Sequence, residues 1–244
     1  NTQVAPNYAL VSLRFEGDSL FADFVTQLGA GVTLSPQSAL VADYLNGAVT
    51  AGAGAATLSA FTDLAGLDPT TELSGALEQL HPEAYASGPV SLGLAGALAT
   101  GSVLSDRLDP AQSLPDGRHW QLWAEGIGSY GSQNAAASSG HSGFDTNLHG
   151  LLAGIDLGVA KDARLGAFIG YNDANQQFDN LLARNDYSSV VLGGYATHYA
   201  GPLTLGAMAA YSDGEIDTRR TITNSAFSGS TRAEYDLQTI MARG

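Results

Sequence analysis

The stretch LLAGIDLGVA at residues 151–160 shows the pattern that decides the fold of this chain. Its odd-numbered positions up to 159 are apolar, whereas the positions between them include Gly154, Asp156 and Gly158. Such alternation places successive side chains on opposite faces of a β-strand. The pattern recurs between turns from His119 to Gly244, and repeated amphipathic strands are typical of an outer-membrane barrel wall. We therefore expect a membrane β-sheet over this part of the chain.

The composition fits such a sheet and excludes other classes of protein. Charged residues make up 14% of the chain, against about 25% in ordinary soluble domains, and the mean hydropathy is +0.01. The net charge of −14 argues against nucleic-acid binding, because there is no basic patch to displace counterions from phosphates. The chain contains no cysteine, so we expect neither a disulfide framework nor thiol chemistry.

Six strands are expected in the second half of the chain, with connections of two kinds. The strands are about 119–131, 145–160, 163–178, 184–199, 202–217 and 231–243. Lys161-Asp162 and Ala200-Gly201 are short turns, whereas residues 132–144, 179–183 and 218–230 form longer connections. Outer-membrane barrels have short periplasmic turns at one end and longer external loops at the other. The alternation of connection length therefore favours a barrel.

The strand pattern also assigns residues to a lumen and to the membrane interfaces. The residues expected to face the lumen are Glu125, Gly154, Asp156, Gly166 and Gly170. The aromatic residues near strand ends, expected to form interfacial girdles, are Trp120, Trp123, Tyr171, Tyr195, Tyr199 and Tyr211. The alternative is a soluble β-sandwich with aromatic residues in its core. The inward face of such a sandwich would be too rich in glycine to fill a core well.

A glycine-rich helix is expected before the sheet, over residues 83–108. No charged residue occurs between Ala86 and Ser105, which is about the length that spans a bilayer. Small residues suit a helix enclosed in a narrow polar lumen, and those assigned to this pore helix are Gly93, Gly96, Thr100 and Gly101. An ordinary packed helix and a true transmembrane helix are the alternatives. Gly88-Pro89 predicts a kink or a late start.

Weaker signals organise the residues before this helix. Short strands are expected at Tyr8–Phe15 and Ser19–Leu28, separated by a tight turn. A helix is expected over residues 35–47, because a Ser-Pro pair suits its start and a glycine its end. Residues 48–56 are expected to form a linker, and another helix to begin near Thr71. The apolar stripe expected on the first helix is Leu40, Val41, Tyr44 and Leu45.

Several segments, in this order, resemble the type V autotransporters, which are self-secreting outer-membrane proteins of Gram-negative bacteria. ALEQLHPEAY at 76–85 and DRL at 106–108 are similar to the segment that joins passenger to barrel in that family. The segments similar to its first three barrel strands are WAEGIGSYG (123–131), GID (154–156) and RLGAFIGY (164–171). DTRR (217–220) and AEYD (233–236) are similar to the loop before the sixth strand and to the entry of that strand. Each segment is weak alone, and their order makes the resemblance fairly specific.

The resemblance implies a mainly β protein, with a twelve-stranded outer-membrane barrel and a helix in its pore. It implies a passenger end over residues 1–67, a linker and pore helix over 68–118, and the first half of the barrel over 119–244. The implied partners are outer-membrane lipid, the chain's own upstream passenger and the barrel-assembly machinery. Six strands are fewer than the roughly eight of the smallest closed membrane barrels. We therefore expect a fragment, or a sheet that another chain completes.

Two other functions remain as alternatives to export of a passenger. One is a passive outer-membrane pore or adhesin-type surface barrel without export activity. The other is an esterase, because residues 17–20 spell GDSL, with a possible nucleophile at Ser19. Residues 116–119 and 170–173 then spell possible base and oxyanion motifs, but in reversed order. Because of this reversed order we expect no enzyme activity, and we expect no cofactor. We also expect no metal site, because the five histidines do not have the spacing of metal ligands.

Overall fold

The fold is given by a computed structural model that describes residues 8–109, 114, 118–136, 141–179 and 181–244. Its helices are α1 (Pro36–Thr50), α2 (Ala55–Ala65), α3 (Leu73–Glu78) and α4 (Glu83–Arg107). Its strands are β1 (Tyr8–Glu16), β2 (Ser19–Thr26), β3 (Trp120–Gln133), β4 (Phe144–Ala160), β5 (Ala163–Phe178), β6 (Ala183–Ala200), β7 (Leu203–Thr223) and β8 (Ser228–Arg243).

Strands β3 to β8 form one antiparallel sheet whose spatial order is the chain order. The six predicted strands are confirmed, and so is a mainly β fold with helices before the sheet. Among the described strands, β3 and β8 each pair with only one neighbour, so the sheet is open. β1 and β2 form a separate hairpin, and its turn contains Gly17 at φ +60°, a conformation that glycine adopts without steric cost.

The two faces of the sheet differ as the alternation predicts. On β4, Leu152 and Asp156 are fully buried, whereas Leu151 is 56% and Leu157 43% exposed. The buried set faces α4, and we call this side of the sheet the inner face. The other side, the outer face, exposes mainly apolar side chains along the half of each strand near the short turns; examples are Val159, Leu165, Ile169, Leu192, Leu203 and Leu205.

The two ends of the sheet differ in the length of their connections and in which end of α4 lies there. Residues 161–162 and 201–202 make short turns at the end we call the turn end. Residues 134–143, 179–182 and 224–227 connect strands at the other end, the loop end. The last of these connections is shorter than predicted, because β7 and β8 extend into it. Helix α4 begins at the loop end and ends at the turn end, as the contacts described below show.

Helices α1, α2 and α3 share one hydrophobic cluster, whose most buried side chains include Phe61, Leu64, Leu73 and Leu77. The predicted start of α1 is confirmed, since Ser35 Oγ accepts from the Ser38 N–H at 3.2 Å. The linker predicted over 48–56 is wrong in part, because α1 continues to Thr50 and α2 begins at Ala55. Alanine is a strong helix former, and the buried face of α2 stabilises that helix.

Two further expectations about the helices require correction. Helix α4 begins at Glu83 and includes Pro89, so it has no late start. On α1, Leu40 is 65% and Tyr44 75% exposed, whereas Val41 and the neighbouring Ala42 are buried. The buried side of α1 is therefore turned away from half of the predicted stripe. The hydrophobic cluster contains residues from both sides of the expected domain boundary after residue 67, since α3 packs with α1 and α2; the boundary itself stays a prediction.

Candidate functional site

Helix α4 lies against the inner face of the sheet and approaches it closely where it carries glycine. A Cβ atom added at Gly88 would lie 2.2 Å from Asn185 Nδ2 and 2.8 Å from Gln176 Oε1. A Cβ atom added at Gly93 would lie 2.3 Å from Leu237 Cδ2. At Gly88 the clashing atoms belong to two hydrogen-bonded amides, so the observed approach requires glycine there. At Gly93 the clashing atom is the end of a leucine side chain, which can rotate away. Glycine therefore permits the close contact between α4 and the sheet at both positions.

The other residues assigned to the pore helix differ in how closely they approach the sheet. A Cβ atom at Gly96 would lie 3.4 Å from Tyr187 Cε1, and one at Gly101 would lie 3.9 Å from a methionine of β7. Thr100 is fully buried, and its Oγ1 accepts from Asn172 Nδ2 at 3.4 Å. The structure thus brings Gly93, Gly96 and Thr100 onto the buried side of α4, whereas Gly101 lies two turns after the exposed Leu94, outside that side.

Buried amides of the sheet bind the first half of α4. Asn185 Nδ2 donates to the backbone oxygen of Ala84 at 3.1 Å and to Gln176 Oε1 at 3.1 Å. Gln176 Nε2 in turn donates to Ser91 Oγ at 2.9 Å. Both amide side chains are fully buried, so each of these hydrogen bonds compensates for the loss of water. The bonds fix the axial position of α4, because they join particular helix residues to particular strand residues.

A second group of polar contacts surrounds the first turn of α4 at the loop end. Glu83, which is buried, accepts from the Ser142 backbone N–H at 2.9 Å and lies 3.4 Å from His141 Nδ1. Arg220 Nη1 donates to the backbone oxygen of His81 at 2.6 Å. Burial lowers the pKa of the His81 imidazole, Glu83 opposes that effect, and Arg220 and His141 add to it. An acidic residue in the first turn also interacts favourably with the helix dipole.

Four charged side chains meet where α4 ends, close to the turn end of the sheet. Arg107 lies 3.6 Å from Glu125 and 3.9 Å from Asp156, measured between nitrogen and oxygen atoms. Arg164 lies 3.9 Å from the same Asp156 oxygen and donates to the backbone oxygen of Arg107. The cluster has two charges of each sign, as buried charges require. A cation at the last carbonyl also suits the negative end of the helix dipole.

The structure corrects the assignment of three aromatic residues to the membrane interface. Trp123 and Tyr195 are buried on the inner face; Trp123 Nε1 donates to the Tyr195 hydroxyl at 3.0 Å, and that hydroxyl donates to Asp156. The Arg107 guanidinium lies 4.5 Å from the centre of the Trp123 ring. Tyr199 has the same parity as Tyr195, and its hydroxyl is also buried. A position near a strand end tells only how far along the strand a residue lies. Whether its residue number is odd or even within that strand decides which face of the sheet its side chain is on.

The other three aromatic residues lie on the outer face. Trp120 is 57% and Tyr171 49% exposed, and Tyr211 is partly exposed on β7. Their position is compatible with contact to the edge of a membrane. Their role as interfacial girdles stays a prediction.

The glycines assigned to the lumen lie on the inner face and make room for large neighbours. A Cβ atom at Gly154 would lie 2.5 Å from the Trp123 ring, and one at Gly166 would lie 2.1 Å from the Tyr195 ring. A Cβ atom at Gly170 would lie 2.1 Å from a Leu152 methyl group. Glycine within a strand often marks such close approach. Large side chains therefore cover these glycines, and together they form the surface on which α4 lies.

One side of α4 does not contact the sheet. Val90, Leu94 and Leu98 recur every four residues along that side and are 64%, 57% and 66% exposed. By length and composition α4 is apolar enough to cross a membrane. Its opposite side, however, carries the glycine and threonine contacts to the inner face described above.

The residues of the esterase alternative lie in separate parts of the structure. Ser19 is exposed in the β1–β2 hairpin and pairs with Glu16 in that hairpin. Asn172 is buried between β5 and α4, where it donates to Thr100. Asp116 and Gly117 of the third motif lie outside the described residues. Among those described, no group of three or more histidine, aspartate or glutamate side chains is placed to hold a metal ion.

Sequence reasoning missed most of the residues that bind α4. Gln176, Asn185 and Arg164 share the parity of the inner face, and each is a large polar residue within an amphipathic strand. That combination was the available signal, because a side chain of this kind needs a partner when it is buried. Their partners on α4 had no sequence signal, since the contacts join residues as much as 101 positions apart.

This arrangement defines a class of protein. The sheet is antiparallel, its outer face is apolar towards the turn end, and its inner face contacts a helix rich in small residues. These are the features of an outer-membrane β-barrel wall with an enclosed helix.

The chain belongs to the autotransporter family, because residues 122–244 match the family model described as the autotransporter beta-domain. It is 33% identical over 121 residues to an extracellular serine protease of Serratia marcescens, and 29% identical over 117 residues to a second extracellular serine protease of that organism. Each alignment covers 48% of this chain and 11% of the relative. No solved structure matches.

The family establishes what the chain does and where. It is a translocator unit, anchored in the outer membrane, that carries an upstream passenger to the cell surface. This reading is favoured over a passive pore, an adhesin-type barrel or an esterase. The domain that performs the export is a β-barrel without a catalytic role.

Proposed function

We propose that α4 occupies the barrel lumen and tethers the exported passenger to the sheet. The observation that carries this proposal is the continuous set of contacts along the inner face, from Glu83 at the loop end to Arg107 at the turn end. Between these ends, Asn185 and Gln176 bind the helix through hydrogen bonds. In this proposal Glu125, Asp156 and the inner-face glycines line the lumen.

The direction of α4 supports export of the segment before it. External loops of outer-membrane barrels are longer than periplasmic turns, and α4 begins at the loop end. Residues 1–67 then belong to the end of a passenger outside the cell, residues 68–118 to the linker and pore helix, and residues 119–244 to the barrel. The α1–α3 cluster crosses the first of these boundaries, so we infer that passenger and linker are packed together there.

We also infer the partners and the absence of catalysis. Exposed apolar side chains of the outer face, such as Leu151 and Ile169, fit contact with outer-membrane lipid. We propose that the barrel-assembly machinery inserts this sheet, because the backbone of a membrane sheet is satisfied in lipid only once the strand edges are paired. We propose that this chain itself is not an enzyme. The strongest support is the location of Ser19 in a hairpin and of Asn172 under α4.

The test is surface display of a protein domain fused before residue 1 of this chain, in the full-length gene product. Antibody labelling of intact cells should detect the domain, and deletion of Glu83–Arg107 should abolish the signal. Deletion of residues 8–26, whose two strands form a sheet separate from β3–β8 among the described strands, is the matched control and should leave display unchanged. Undiminished display without α4 would contradict the proposal. A barrel in the membrane with no display in any variant would favour the passive pore.

A further inference from the structure

Residues 27–80 form a small folded unit before α4. Its core contains the fully buried Leu64, Leu73 and Leu77 from α2 and α3. Polar bonds join its parts: Ser38 Oγ of α1 donates to the backbone oxygen of Ser74 at 2.9 Å. These residues lie before the family match, which begins at residue 122.

The same unit is packed against the connection between β7 and β8 at residues 224–227. Ala226 and Phe227 are partly buried against its core. Ser225 Oγ donates to Glu72 at 2.8 Å, and the backbone N–H of Thr223 donates to Gln79 at 2.8 Å. Apolar contact and hydrogen bonds thus occur on both sides of the same connection. The loop end of the sheet is a binding surface for this unit.

The connection has hydrogen bonds of its own that support this contact. Asn224 Oδ1 accepts from the backbone N–H groups of Ala226 and Phe227, both at 2.9 Å. Such a side-chain turn orders the backbone without help from a partner. It therefore presents Phe227 to the α1–α3 core at little further cost in conformational entropy.

We propose that residues 27–80 act as a clamp, which folds outside the barrel, docks on the 224–227 connection and thereby holds α4 at a fixed depth in the sheet. This proposal rests on the proposed export function, because it assigns the unit to the outer side. A single helix is about 10–12 Å wide with its side chains. Three helices packed with axes about 8–10 Å apart are roughly twice as wide. A lumen that fits one helix cannot pass the folded unit.

The short segment between α3 and α4 couples the clamp to the helix. Only Gln79 to Pro82 separate the two helices, and two of these residues contact β7, at Thr223 and Arg220. A docked clamp therefore leaves α4 little freedom to slide towards the turn end.

The first experiment tests docking with Phe227→Ser in the full-length protein. We expect the amides of α3 and of the first turn of α4 to exchange hydrogen at least fivefold faster, with exchange in β5 and β6 unchanged. Phe15→Ser is the matched control, because Phe15 is 77% exposed in the hairpin; it should change neither region. If the α3 amides exchanged hydrogen equally slowly in both variants, the proposed docking on the 224–227 connection would be wrong.

The second experiment tests whether the folded unit is too wide to pass. Ser38 and Ser74 have hydroxyl oxygens 3.1 Å apart, so cysteines there can form a disulfide between α1 and α3 after a small rotation. The chain has no other cysteine. In the oxidising periplasm, the double variant should lose at least tenfold in surface display, and a reductant should restore it. Ser38→Cys alone should display normally.

The outcomes separate the clamp from the export function. Normal display of the disulfide-linked variant would overturn the clamp and leave export intact. No display of the unmodified protein under either condition would instead contradict the export function. Loss of display that a reductant does not reverse would also count against the clamp, because the unit would then be misfolded for a reason other than width.

Discussion

Alanine at Gly88 tests whether glycine sets the position of α4. The new Cβ atom would lie 2.2 Å from Asn185 Nδ2, so the amide must withdraw from its bonds to Ala84 and Gln176. Loss of two buried hydrogen bonds costs about 2–4 kcal/mol, and alanine returns about 1 kcal/mol in helix propensity. The expected net loss is about 1–3 kcal/mol, which corresponds to an equilibrium change of roughly 5- to 150-fold.

The matched control is Gly101→Ala on the same helix. There the new Cβ atom would lie 3.9 Å from Met208 Cε, an ordinary van der Waals distance, so only the propensity gain of up to about 1 kcal/mol remains. Hydrogen exchange of the α4 amides measures local opening and should be faster in the first variant and slower in the second. The same sign of change in both variants would refute the idea that contact with Asn185 sets the helix position.

Three further predictions concern charge, burial and pH. Asp156→Ala should weaken the turn-end contact by about 3–5 kcal/mol, because it removes the buried carboxylate that lies close to both Arg107 and Arg164; Asp173→Ala, at a partly exposed position, should cost at most about 1 kcal/mol by the same exchange measurement. With Trp123 as the sole tryptophan, brominated lipid should not quench fluorescence, whereas Trp120 alone should be quenched; equal quenching contradicts their assigned faces. Burial lowers the pKa of His81, so the folded state binds fewer protons than the unfolded state, and stability at the loop end should fall as pH drops below about 6.5. His81→Gln should flatten that dependence in thermal unfolding between pH 7 and 5.

The sequence was sufficient for the sheet because its signal is local. A period of two decides the face of each residue, and the exposure of Leu151 against the burial of Leu152 follows from it. The same rule, applied to aromatic residues, identifies Trp123 as inner because it shares parity with Glu125. The girdle prediction failed there because it used position along the strand and ignored parity.

The contacts of α4 and of the clamp could not be predicted in the same way. Asn185 binds Ala84, and Phe227 packs on the α1–α3 core, across long separations in the chain. Only tertiary packing decides which helix face meets them. Leu40 illustrates the limit, since its spacing fits an apolar stripe and yet it is exposed, because the side of α1 that contains Val41 and Ala42 is the one that packs inward.

The contact between α4 and β8 tests the central claim most directly. The Gly93 Cβ position lies 3.5 Å from Leu237 Cγ, so cysteines at these two positions can form a disulfide. Ile240 lies on the outer face and is 82% exposed, so a cysteine there is the control partner for position 93. In outer membranes of cells that display the passenger, we expect the 93–237 pair to crosslink and the 93–240 pair to stay reduced. Crosslinking of the control pair, or no crosslinking at 93–237 while display continues, would contradict a helix bound along the inner face.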